Sequence, residues 1–137
     1  MRLDNQDING VIPLIKKGID KYFHIKIDVI KLFINNDKIY FDGQGSYKGI
    51  SFKLDGNCTI TLNHDCFVLS FHDAIIRSAF MNIELDNFIK QFLKQDNTIF
   101  YNNNKLYIRS TISPIPIKIN EFQIINNEIK LSVSVLS

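Results

Sequence analysis

Hydrophobic positions along this chain repeat with two different periods, and the changes between them mark out its elements. Between Asn9 and Phe23, Ile12, Ile15, Ile19, Tyr22 and Phe23 fall on one side of a 3.6-residue repeat, widened by Val11 and Leu14. That spacing predicts a helix capped at Asn9, with Pro13 tolerated in its first turn and Gly18 weakening it by roughly 1 kcal/mol relative to Ala. Residues 1–8 read as a loose lead-in. From His24 the period drops to 2. Ile25, Ile27 and Val29 alternate with polar neighbours, then the phase slips to Leu32 and Ile34, which predicts a bulge near Ile30-Lys31.

The next segments read as strands separated by polar turns. Asn35-Asn36-Asp37-Lys38 leads into Ile39-Tyr40-Phe41, and Tyr47-Lys48-Gly49 into Ile50, Phe52 and Leu54. Asp55-Gly56-Asn57 is a turn or second bulge before Cys58, Ile60 and Leu62. Asn63-His64-Asp65 precedes Phe67, Leu69 and Phe71, and Ala74 to Phe80 reads as a further strand. A second 3.6-residue repeat then spans Met81 to Asp96. Leu85, Phe88, Ile89, Phe92 and Leu93 form its stripe, Asn82 serves as N-cap, and Asp86 with Lys90 makes an i,i+4 pair. Beyond it, Ile99–Tyr101, Leu106–Ile108, Ile117–Ile119, Phe122–Ile125 and Ile129–Val135 alternate again, with Ser113–Pro116 as a connection or sheet edge.

Three stretches echo one another: Phe33–Phe41, Phe100–Ile108 and Ile124–Leu131 each place an apolar pair, an Asn-rich turn and an apolar return in succession. Their spacing is irregular, so this is a repeated hairpin and not a solenoid. The expected architecture is a single α+β domain over residues 1–137, a curved antiparallel β-meander packed on a central amphipathic helix and an N-terminal helix.

Composition narrows function more than it defines it. With 137 residues and no Trp, the chain is long enough for one core without disulfide or metal. Lys and Arg number 16 against 14 Asp and Glu. A net charge of +2, scattered along the chain, does not drive nucleic-acid binding by counterion release. No apolar run approaches the roughly 20 residues of a membrane span. The polar start Met1–Gln6 does not read as a signal peptide, so a cytoplasmic location is expected unless a leader has been removed. Cys58 and Cys66 flank the Asn63–Asp65 turn. A three-residue loop there sets Leu62 opposite Cys66 and Cys58 opposite Ser70, about 13 Å apart along the ladder, beyond the roughly 7 Å that a disulfide spans. Two free, mostly buried thiols are expected.

Candidate chemistry is sparse. Gly43-Gln44-Gly45 with Gly49 opens no helix, so it reads as a flexible bend and not a phosphate loop. Cys58, His64, Cys66 and His72 lack the paired spacing of a zinc clip. His64-Asp65-Cys66 has no elbow or oxyanion hole behind it, and His72-Asp73 reads as a strand end. Tyr40, Tyr47, Tyr101 and Tyr107 beside Lys38, Lys48, Lys105 and Arg109 are the residue types that stack single-stranded nucleic acid, but strands carry aromatics for packing alone. No metal, cofactor or catalytic constellation is expected.

What stands out is the amount of apolar surface. Strands such as Phe67–Phe71 and Ala74–Phe80 are apolar in both phases, and both helices have wide apolar faces. This points to a groove for a lipid-like or other apolar ligand, with Leu85, Phe88, Ile89, Phe92 and Leu93 on one wall and Phe41, Phe52 and Ile60 on the other. The alternative is a protein–protein interaction or assembly module whose apolar surplus forms an oligomer interface, such as a homodimer.

The order of elements also carries a resemblance. A helix ending in Tyr22-Phe23, a strand over Ile25–Ile34, a meander of long strands, the helix start Ile83-Glu84-Leu85-Asp86-Asn87-Phe88-Ile89 and hairpins closing on Ile124–Val135 resemble the tubular lipid-binding superfamily. The closest likeness is to its small bacterial phospholipid-binding branch, where an acidic, Asn-containing helix start also follows the first strands. That resemblance implies a highly curved antiparallel sheet wrapped round a helix, lipid in the groove, and no catalysis.

Overall fold

The structure is a computed structural model that describes residues 1–112 and 117–135. It is an α+β fold dominated by antiparallel sheet. Strand β1 (Arg2–Leu3) and a 3-10 turn (Asp7–Val11) precede helix α1 (Ile12–Phe23). Four long strands follow, β2 (Lys26–Asn35), β3 (Lys38–Tyr47), β4 (Ile50–Asn63) and β5 (Cys66–Ser78). Then come β6 (Asn82–Glu84), helix α2 (Leu85–Phe92), β7 (Ile99–Asn102), β8 (Lys105–Arg109), β9 (Thr111–Ile112), β10 (Ile117–Ile125) and β11 (Glu128–Val135). The Ser113–Pro116 connection lies outside the described residues.

A seven-stranded sheet has the order β2-β3-β4-β5-β8-β7, with β6 also paired to β5. The neighbouring edge of β5 is shared, since β8 takes Cys66–Leu69 and β6 takes Ile75–Arg77. A second, four-stranded sheet has the order β1-β11-β10-β9. Residues 1–8 are therefore not a loose lead-in. Arg2 and Leu3 pair with Lys130 and Ile129, Ile8 is buried, and Asn5 Oδ1 accepts the Ile34 amide at 2.6 Å.

The Asn-rich echoes are hairpins with two-residue turns. Asn36-Asp37, Asn103-Asn104 and Asn126-Asn127 all have positive φ at both positions, as does Lys48-Gly49. This is the geometry whose twist matches that of the flanking strands, and Asn and Asp enter it at low steric cost. The β4–β5 turn is also two residues long, His64-Asp65, not the three expected from sequence. The ladder accordingly sets Leu62 opposite Phe67 and Cys58 opposite Phe71, one residue away from the expected register. Cys58 is buried, Cys66 is half-buried, and both are free.

Irregularities in the long strands decide which side chains face inward. The β2 bulge lies between Ile27 and Val29, earlier than expected, so Ile30 turns inward and Val29 is exposed. A second bulge lies in β5, where Asp73 and Ala74 together face the single β4 residue Gly56, and Asp73 takes left-handed backbone. Gly43 and Gly45 are not a flexible bend but inward-facing positions of β3. A Cβ on Gly45 would lie 2.3 Å from the Lys26 carbonyl oxygen, so only Gly lets β2 come this close.

The central helix is shorter than its hydrophobic repeat. α2 covers Leu85–Phe92, while Asn82–Glu84 continues the sheet and Leu93 is already extended. Glu84, not Asn82, is the N-cap residue, and it makes no side-chain capping bond. The apolar stripe of α2 survives because Phe88 and Ile89 are buried, whereas Asn82 exchanges helix for strand pairing with Arg77.

Candidate apolar ligand site

The inner face of the large sheet, α1, α2 and the second sheet line an apolar cavity of about 570 Å³ that is partly open to solvent. Ile27 and Ile30 of β2, Phe41 of β3, Phe52, Leu54, Cys58 and Ile60 of β4, and Leu69, Phe71 and Ile76 of β5 form its sheet wall. These positions alternate along each strand, and the bulges keep the alternation in phase across neighbours. Leu85, Phe88 and Ile89 contribute from α2, and Ile15, Gly18, Ile19, Tyr22 and Phe23 from α1. Leu3, Phe122, Ile129 and Leu131 close it from the second sheet. Among the described residues, the exposed wall consists of apolar atoms only.

Six of the eight residues expected from sequence meet around this space: Phe41, Phe52, Ile60, Leu85, Phe88 and Ile89. Two do not line it. Phe92 stands at the end of α2, its ring 4.7 Å from that of Phe88 and 5.6 Å from that of Tyr47. Leu93 follows the helix and packs against Ile89, Ile99 and Leu106, which line the cavity, without lining it itself. The contributions of α1 and of β11 were not anticipated, although the spacing of Ile15 with Ile19 and the alternation of Ile129 with Leu131 carried the signal.

Helix α1 is unusual in having no fully buried residue. Its apolar face borders the cavity while Ile12, Ile19 and Phe23 pack against the core, and a Cβ on Gly18 would meet nothing within 4 Å. The helix is held through its ends and side chains. Lys16 Nζ donates to the carbonyl of Asp28 at the β2 bulge at 3.0 Å, and the His24 amide, in left-handed backbone, donates to the Asp20 carbonyl at 2.9 Å. α2 is fastened by the Tyr101 hydroxyl, which donates to Asp86. Burial, and then that acceptor, push the Tyr101 phenol well above its ordinary range.

Reactive groups are not collected around the cavity. Cys58 lines it, but burial pushes its thiol up to about 12, so it is a protonated apolar wall atom at neutral pH. Cys66 lies elsewhere, and burial followed by the Asp65 charge raises its thiol also, partly offset by Arg109. His72 Nε2 lies 3.4 Å from Thr59 Oγ1 on the exposed side of β4 and β5. Among the described residues no three His, Cys, Asp or Glu side chains gather as a metal site, and no helix is long and apolar enough to cross a membrane.

Comparison with protein-family models, with curated proteins and with solved structures finds no match for this chain. The functional reading therefore rests on the cavity and the surface around it.

Proposed function

We propose that the protein binds a lipid-like or other apolar ligand in this cavity and performs no chemistry on it. The observation that carries the reading is the size of the space together with its wall. Protein interiors pack to crystal-like density with few voids larger than a water molecule. A space of about 570 Å³ is instead in the range of roughly 300–1,000 Å³ usual for small-molecule sites. An exclusively apolar wall gives water no partners, so an alkyl or isoprenoid chain is the occupant that such a wall favours. On this reading the meander curves round the chain, α1 and α2 cover the open side, and any polar headgroup stays at the surface. This is also the chemistry implied by the resemblance to the tubular lipid-binding superfamily.

The test is titration with a fluorescent polyene fatty acid. Enhancement that saturates at about one probe per chain, and is displaced by unlabelled lipid, is expected. Gly18→Phe places a ring into the space that α1 leaves open, and this variant should lose the enhancement while remaining folded. Equal probe binding by Gly18→Phe and the parent would count against the cavity as the site.

A specific observation favours the second reading, an assembly module. Two stacked aromatic pairs lie at opposite edges of the large sheet, Phe33 on Tyr40 at 5.0 Å and Phe100 on Tyr107 at 4.8 Å, with Phe33 and Phe100 exposed. A homodimer through either edge predicts a mass that rises with concentration and falls back to that of a monomer in Phe33→Ser or Phe100→Ser.

A further inference from the structure

The two ends of the large sheet are finished in opposite ways. At one end lie the Asn36-Asp37 and His64-Asp65 turns, and the second sheet packs over both. The Asn36 amide donates to Asn127 Oδ1 at 3.1 Å, the Ser110 amide donates to the Asp65 carbonyl at 2.8 Å, and the Phe67 and Phe122 rings meet edge-on at 5.1 Å. At the other end lie the Lys48-Gly49 turn and the turn from Ser78 to Met81, and among the described residues no second layer covers them. There the side chains are apolar: Phe80 is 81% exposed, Met81 63% and Ile50 44%.

This tip is built, not frayed. Ser78 Oγ accepts the amides of Phe80 and Met81 at 3.3 and 3.2 Å, and the Ser78 amide donates to the Met81 carbonyl at 3.0 Å. The turn thus holds a Phe and a Met outward, where they add nothing to the core. An apolar path also joins the tip to the cavity. Phe88 lines the cavity and packs on Phe92 and Tyr47, and Tyr47 faces Ile50 across the hairpin.

Three lysines stand around the tip. Lys48 sits in the turn itself. Lys26 pairs with Ser46, which pairs with Ser51, so it stands two strands away, about 10 Å. Lys94 touches His24, two residues before Lys26. Asp20 and Asp28 are the carboxylates on the neighbouring stretches of chain, and Glu84 ends β6. Asp55 is paired with Arg77, whereas Asp86, which accepts from the Tyr101 hydroxyl, and Asp96, which accepts from the amides of Thr98 and Ile99, keep their charge farther from the turns.

We propose that the Lys48-Gly49 and Ser78–Met81 turns form a docking tip for an anionic phospholipid surface, with Phe80, Met81 and Ile50 entering the interface and Lys26, Lys48 and Lys94 lying against the headgroups. Apolar side chains at turn tips, with Lys48 in the turn itself and Lys26 and Lys94 behind it, suit a soft, negatively charged surface better than a flat protein partner. The docking stands whether or not the cavity is filled; only its purpose, to bring the apolar path against a bilayer, rests on the ligand-binding reading.

The test is flotation of the full chain with vesicles of phosphatidylcholine alone, or of equal parts phosphatidylcholine and phosphatidylglycerol. Binding to the anionic vesicles only, weakening as salt rises, is expected. Phe80→Ser with Met81→Ser should lower it about tenfold or more, since both side chains lose their burial in the interface. Lys26→Glu with Lys48→Glu should do the same, because each lysine near such a surface is worth roughly fivefold. Phe33→Ser, on the outer face, should float as the parent does.

A parent chain that stays unbound, or a Phe80→Ser/Met81→Ser variant that floats undiminished, overturns the proposal. So does loss in that variant of a dimer the parent forms, together with no parent flotation, which assigns the tip to a second copy. Lipid extracted from the same preparations separates the two readings. Retained lipid without flotation refutes the tip alone, and flotation with neither retained lipid nor probe bound on titration refutes the cavity reading alone.

Discussion

Gly56 of β4 faces the two-residue bulge Asp73-Ala74 of β5 at φ +156°, where a Cβ would lie 2.5 Å from Cα of Ala74. Both the backbone and the neighbouring strand exclude a side chain, so Gly56→Ala should lower stability by at least ~2 kcal/mol, seen as an earlier urea midpoint. A midpoint equal to the parent's would mean that the bulge relaxes freely. Gly18 is the opposite case. Its cost to the helix is visible in the sequence, but the reason for it is not, because only the fold shows the empty space beside it. Gly18→Ala should stabilise α1 by about 0.5–1 kcal/mol and leave ligand binding nearly intact.

Cys58 gives a pH prediction with a definite sign. Its thiol is raised from an ordinary 9.0 to about 12, so below pH 9 it is protonated in both folded and unfolded chains and has no effect. Between 9 and 12 the unfolded chain gives up the proton and the folded one does not. Stability must therefore fall as pH rises through that window, and Cys58→Val should make the fall shallower. At neutral pH a thiol reagent should modify half-buried Cys66 before Cys58, which reacts only when the sheet opens. Equal rates would contradict the packing of Cys58 in the cavity wall.

At the scale of elements, the helix periods were legible and the helix ends were not. The expected helix Met81–Asp96 is about two turns longer than α2, at its start because strand pairing of Asn82–Glu84 with β5 outcompetes the helix, and at its end because Leu93 is already extended. Stability should follow the observed ends. Ile89, 2% exposed, should cost about 2–4 kcal/mol on substitution by Ala. Phe92, 39% exposed and held by two aromatic neighbours, should cost about 1 kcal/mol. Equal losses in a denaturation series would argue for the longer helix. Hairpins were legible for a different reason, since the Asn pairs at 103–104 and 126–127 and Asn36-Asp37 encode left-handed turns locally. The β4–β5 register was missed by one residue because Asn63-His64-Asp65 does not say which of its polar residues belongs to the ladder.

For the whole molecule, the α+β class and the antiparallel order β2-β3-β4-β5 follow from alternation and turns. The return of β8 to pair with β5 and the separation of a second sheet do not, because long-range pairing leaves no local mark. The same division holds at the site. Six wall residues could be named from the inward phase of β3, β4 and α2, yet the wall supplied by Leu3, Ile129 and Leu131 depends on the second sheet closing one end. The central claim is that this apolar space holds a ligand, and native mass spectrometry of freshly purified protein, followed by organic extraction, tests it most directly. The account predicts a chain carrying a few hundred daltons of extractable apolar material, absent from Gly18→Phe. A bare mass of 15.9 kDa, or of its simple multiples, with nothing in the extract and no probe bound on titration, would contradict it.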